Sequence, residues 1–139
     1  MSPFSTVFRE LRASFGMRQA EFASKLGFEQ SYVSAIEVGT KGPPNMEFIG
    51  RVIAALELEE PWKQKLLKAL DESQRKIVLS SDATEDTFKM FNELRRQIDQ
   101  LHPAQVELMQ MALRLPAIMK ADSRLRHKHK EEPSPPIEE

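Results

Sequence analysis

The chain has no cysteine. Disulfides and thiolate zinc sites are therefore excluded, and nothing asks for an oxidising compartment. No apolar run comes near the roughly 20 residues that a membrane span needs. The opening residues, MSPFSTVFRE, lack the basic start and unbroken apolar stretch of a secretory signal, so a cytoplasmic location is expected. An excess of charge is missing as well: 20 Lys and Arg stand against 21 Asp and Glu, a net charge of −1. A strongly basic chain would point to nucleic acid directly. Here any case for DNA must rest on where the charges point. No Gly-rich phosphate loop is present, and His102, His127 and His129 lie at a helix break and in the tail, without a nearby nucleophile in a plausible pocket. No catalytic arrangement stands out, so neither enzyme activity nor a cofactor is expected. His127 and His129 form a His-X-His pair without a third ligand, which reads as part of a solvated basic segment rather than a metal site.

The 139 residues fit one ordinary domain or two small ones, and 40% apolar with 29% charged residues suits a soluble globular protein. All five glycines, at 16, 27, 39, 42 and 50, fall in the first 50 residues, so turn chemistry is concentrated there. Phe4, Val7, Phe8, Leu11 and Phe15 have amphipathic helix spacing. Ser2 and Pro3 suit its start, and Gly16 its end. A second helix is predicted from about Arg18 to Leu26, burying Phe22, Ala23 and Leu26, with Gly27 stopping it. A third runs from about Gln30 to Val38, with Val33 and Ile36 inward and Gly39 closing it. The prolines of KGPPN then disfavour helix. Asn45 caps a fourth helix with Met46, Ile49, Val52, Ile53 and Leu56 on its inner face. Pro61 opens a fifth, where Trp62, Leu66, Leu67 and Leu70 recur. Two short helices joined tightly through Gly27 read as a helix-turn-helix, or more blandly as a helical hairpin in a bundle.

Particular residues favour the first reading. Leu11 and Arg12 precede Gly16. Gln19 stands near the start of the second helix, followed by Glu21, Phe22 and Ala23. Leu26 and Gly27 make the turn. Gln30 and Ser31 open the third helix, and Val33, Ile36, Glu37 and Gly39 close it. In this register, residues 4–58 resemble the phage-repressor-like helix-turn-helix family (lambda repressor/Cro, XRE type). The resemblance implies an all-α, five-helix lambda-repressor-like DNA-binding domain over residues 1–73.

It also implies roles. The helix from Gln30 to Glu37 would lie in the major groove, the only groove that distinguishes all four base pairs and admits a helix. Gln30 both donates and accepts, which matches adenine. Ser31 and Ser34 suit donor or acceptor sites, and Ala35 a thymine methyl. Gln19 would brace Gln30 and bond a phosphate from the start of the second helix, where unpaired amides favour anions. Arg18, Thr40 and Lys41 would add phosphate contacts that position the domain without reading sequence. Arg12 and Glu37 look like the family's internal ion pair, a structural feature. Three positions depart from the pattern. Arg18 occupies a cap position that usually holds Thr, Ser or Asn, so either the cap is missing or Arg18 serves a phosphate. Glu29 is unhelpful near phosphate but can accept from a cytosine amino group. Tyr32 is bulky where small residues are common, and either stacks on sugar or thymine methyl or shields the helix. Basic residues after the third helix are reduced to Lys41, so one subunit should bind weakly and dimerisation should matter.

Residues 74–83 read as a linker, or as a short strand at Ile77-Val78-Leu79 that pairs with its dimer mate. Residues 84–120 read as a helical dimerisation region. Its first helix starts near Asp82 to Thr84, with Glu85 as a capping-box partner, and Phe91, Leu94, Ile98 and Leu101 step in coiled-coil spacing. His102-Pro103 ends it. A second helix to about Met119 is apolar almost all round, with Val106, Met109 and Leu113 among its contacts. Such a helix needs burial on every side. Either two chains form a four-helix core, or these helices pack back on the chain's own first domain. Residues 121–139, basic and then acidic and Pro-rich, read as a disordered tail that adds phosphate attraction or docks a partner.

The expected function is sequence-specific binding of double-stranded DNA by a homodimeric transcriptional regulator, in particular a repressor on an inverted-repeat operator. Two alternatives stay open. One is an antitoxin-like protein whose C-terminal half or tail binds another protein. The other is an adaptor that contacts polymerase through Glu57, Glu59 and Glu60.

Overall fold

The computed structural model describes residues 1–130, with side chains through residue 121. Among the described residues there are seven α-helices, one 3-10 turn and no strand. The chain divides into two compact units, Met1–Val78 and Leu79–Glu139.

The first unit holds five helices: α1 (Pro3–Ser14), α2 (Gln19–Leu26), α3 (Gln30–Val38), α4 (Met46–Leu56) and α5 (Glu60–Glu72). Local chemistry sets their ends. Ser2 Oγ accepts from the Ser5 amide at 3.1 Å, with Pro3 opening α1. Asn45 Oδ1 accepts from the Phe48 amide at 2.9 Å. α2 and α3 both end in a left-handed glycine, Gly27 (φ 78°) and Gly39 (φ 87°). The next amide folds back in each case, Phe28 to Ala23 O at 2.9 Å and Thr40 to Ala35 O at 3.1 Å. Any side chain at these two positions would strain the backbone.

The apolar stripes of all five helices meet in one core. Phe8 is its centre, with ring centroids 5.7 Å from Phe4, 5.3 Å from Phe22 and 5.7 Å from Phe48. Each such buried side chain contributes about 1.5–3 kcal/mol. Phe48 rather than Met46 fills the α4 side: Met46, expected on the inner face, is exposed, because it opens the helix, whereas Phe48 shares the inner face with Ile49 and Val52. Two buried serines close the unit. Ser5 Oγ donates to Ile36 O at 2.8 Å, tying α1 to α3. Ser73 Oγ accepts from the Phe4 amide at 2.9 Å and donates to Ala69 O at 2.6 Å, so the end of α5 satisfies the start of α1.

Residues 74–80 have no regular structure in the single chain. In the second unit α6 spans Glu85–Gln97, a 3-10 turn spans Ile98–Gln100, and α7 spans Pro103–Lys130. Thr84 caps α6, but the amide it accepts is that of Thr87, at 3.2 Å. Glu85 is the first helical residue and too near the cap to reach back as a capping-box partner. The α-helix also stops short of Leu101. Ile98 lies in the 3-10 turn and Leu101 in extended backbone, so only Phe91 and Leu94 of the coiled-coil steps stand on α6. α7 continues through residues 121–130, beyond its expected end near Met119 and into the segment assigned to the tail. Of its ten residues, two are Arg, two Lys, one Leu and one Ala, all of which favour helix. Residues 131–139 and the side chains of His127 and His129 lie outside the described residues.

Candidate nucleic-acid interface

A helix presented to DNA needs a buried side that fixes it and an outer side left free. α3 has both. Val33, Ile36 and Glu37 are buried. Gln30, Ser31, Ser34, Ala35 and Val38 occupy the remaining face, with Gln30 and Ser31 exposed at its leading end and Ser34 and Ala35 half-buried. Val38, 63% exposed, ends that face. Its sequence position carries no signal of its own beyond ending the helix.

Glu37 is the anchor. Its side chain is 4% exposed. Arg12 Nε donates to Oε1 at 2.6 Å and Arg12 Nη2 to Oε2 at 3.3 Å, the two-pronged geometry that suits guanidinium and carboxylate. Arg12 Nη1 also donates to Met17 O at 3.2 Å, pinning the turn before α2. Gln19 Nε2 donates to Glu37 Oε2 at 2.7 Å. Gln30 Nε2 then donates to Gln19 Oε1 at 3.4 Å. A single relay, Arg12–Glu37–Gln19–Gln30, runs from α1 through the end of α3 and the start of α2 to the first residue of α3. No buried side-chain nitrogen or oxygen among the described residues lacks a partner. Gln30 keeps its own oxygen and one amide hydrogen for an external partner.

The flanking residues are placed as follows. Arg18 precedes α2, makes no side-chain cap bond and is exposed. Glu29 precedes α3, also without a cap bond, and is exposed. Tyr32 is half-buried, its ring 5.3 Å from Phe28 and 5.8 Å from Phe48. Lys41 Nζ lies 4.6 Å over that ring. Thr40 Oγ1 donates to Ala35 O at 3.3 Å. Arg75 Nη2 donates to Gly39 O at 2.6 Å, bringing a cation from beyond α5 to the end of α3. Neither Phe28, Phe48 nor Arg75 is a helix-turn-helix signature residue, and only the folded chain shows them beside this face.

Residues 8–63 match the family model described as Helix-turn-helix. This segment is an XRE-type helix-turn-helix domain. No curated protein and no solved structure matches the chain. The helix-turn-helix match starts within α1, ends early in α5 and leaves the second unit outside it. Over that segment the match supports DNA binding of the XRE regulatory type, with DNA as the partner of the matched domain.

No group of three or more His, Asp or Glu among the described residues is placed to hold a metal ion. No described helix is long and apolar enough to cross a membrane.

Proposed function

We propose that the protein is a sequence-specific, homodimeric transcriptional repressor of the cytoplasm that reads an inverted-repeat operator. The observation that carries this reading is the relay that holds Gln30 at the exposed leading end of α3. Gln30, Ser31 and Ser34 face base edges in the major groove, with Ala35 and Val38 against thymine methyls. Glu29 accepts from a cytosine amino group. Arg18, Gln19, Thr40 and Lys41 contact phosphates and set the register. Tyr32 serves chiefly as a packing residue that shields α3 and steers Lys41. Repression needs only occupancy of the operator.

Dimerisation is supported by the second unit. Val106, Leu108, Met109, Met111, Leu113 and Leu115 of α7 are all exposed in the single chain, Leu113 to 81%. Exposed apolar area on this scale marks an association surface. A second copy would cover it with Phe91, Leu94, Ile98 and Leu101 alongside, and the two-fold would set half-sites about 34–36 Å apart. The same exposure, with Met109, Met111 and Met119 on adaptable side chains, favours a second reading in which α7 binds a different protein and DNA binding serves autoregulation.

Selection of bound duplexes from a random pool with the full chain tests both readings. A pseudo-palindrome is expected. An asymmetric single site bound by a monomer would contradict the dimer, and no enrichment at all would contradict sequence reading.

A further inference from the structure

A separate set of contacts reaches the turn that leads into α3. Arg51, exposed on α4, lies over the Phe28 ring with Cζ 4.2 Å from the centroid. Its Nη2 donates to Gly27 O at 3.3 Å and to Leu26 O at 3.5 Å. Phe28 in turn stacks on Phe48, centroids 4.9 Å apart, and Phe48 is part of the buried core. The Gly27 turn is therefore gripped from α4 by a hydrogen-bonding cation above one aromatic ring and a second ring below it.

The chemistry suits the place. Leu26 O and Gly27 O lie at the carboxyl end of α2, where unpaired carbonyls and the helix dipole favour a cation. A guanidinium can stack on a ring and donate from its edge at once, which an ammonium cannot. The seat is close-fitting: a Cβ on Gly27 would fall 2.8 Å from Arg51 Nη2. Position 27 thus needs glycine for its left-handed backbone, and a side chain there would push the Arg51 guanidinium aside.

We propose that Arg51 is a positioning residue for base reading, clamping the Gly27 turn so that Gln30 and Ser31 enter the groove at a fixed height and angle. The proposal rests on the DNA-reading role given to α3 above. Base-edge hydrogen bonds tolerate misplacement of only about 0.5 Å or 10–20°. Attraction to phosphates is sequence-independent and far less demanding. Loss of the clamp should therefore remove discrimination and leave general affinity intact.

The test compares full-length wild type, Arg51→Met and Arg51→Lys on two duplexes. One is the sequence enriched from a random pool by the wild type, and the other is a scrambled duplex of the same composition. Each is titrated over a range of salt, alongside a thermal melt. Both variants are expected to lower the ratio of enriched to scrambled affinity about tenfold, within the range for one disturbed base contact. Scrambled affinity, salt slope and melting should stay at wild-type values. An unchanged ratio would overturn the clamp. So would parallel weakening on both duplexes with a salt slope reduced by about one in Arg51→Met and restored in Arg51→Lys, the behaviour of a phosphate contact. A fall in melting temperature that accounts for the loss on both duplexes would reduce Arg51 to a fold-stabilising residue and equally overturn the proposal. If the wild type enriches no sequence, the reading of α3 itself fails, and the clamp with it.

Discussion

The two units of this chain treat apolar surface in opposite ways. In Met1–Val78 the stripes of five helices close over one another, and the few polar groups drawn inside, Ser5, Glu37 and Ser73, all find partners. In residues 79–121 no side chain is buried, and α7 carries leucines, methionines and an isoleucine in the open. Helices of the first unit are short and ended by specific caps, whereas α7 is 28 residues long and has few polar positions between Pro103 and Met119. The lesson is that a helix can be written to finish a fold or to wait for another surface. Completeness of the first unit suits a rigid reader of DNA, and incompleteness of the second suits association.

The largest effect that would sharpen this contrast is Leu113→Ser. If a second copy covers α7, each dimer loses two buried leucines, at about 1.5–3 kcal/mol each. The dimer dissociation constant should rise about a hundredfold or more, measured by sedimentation, while the melting of the first unit stays unchanged. A dimer of undiminished affinity would show that α7 is not the seam.

Glu37→Ala attacks the other side of the comparison. It strands the Arg12 guanidinium and cuts Gln19 and Gln30 from their anchor. Breaking a buried pair costs about 3–5 kcal/mol, and the lower figure applies because Arg12 keeps 25% of its side chain exposed. Thermal melting should fall and specific DNA affinity should fall with it. An unchanged melting curve would contradict the structural role of the relay.

Smaller effects separate reading from holding. Gln30→Ala should cost about 1–3 kcal/mol on the enriched duplex and relax preference at one base pair per half-site, seen by repeating the selection with the variant. Lys41→Ala should weaken all duplexes alike and reduce the salt slope by about one. Identical behaviour of these two variants on enriched and scrambled duplexes would undo the division of roles on the α3 face.

How much of this was legible in the sequence follows from the range of the forces involved. Ser2, Gly27, Gly39 and Asn45 act on backbone groups within a few residues, so the helix ends they set could be read directly. Phe22, Val33 and Ile36 follow helical spacing, and their burial could be read too. Arg12, Glu37, Gln19 and Gln30 were legible only through their register in the family resemblance, because their bonds span 11 to 25 residues of sequence. Contacts outside that register were not legible. Ser73 meets Phe4 across 69 residues, and Arg51 meets Gly27 across 24. Neither has a local signal, and both depend on where α4 and α5 come to rest. The early end of α6 has no clear sequence signal for a related reason. The 3,4,3 spacing of Phe91, Leu94, Ile98 and Leu101 continues smoothly, while the backbone tightens at Ile98 ahead of His102 and Pro103.

The central claim is that the leading edge of α3 enters the major groove twice, once from each of two copies. Methylation interference on the enriched duplex tests it most directly, since methyl groups at guanine N7 project into the major groove and those at adenine N3 into the minor. Two blocks of guanine N7 interference, centred about 10 base pairs apart, are expected with the full chain. Interference confined to adenine N3, or to a single block, would contradict the account.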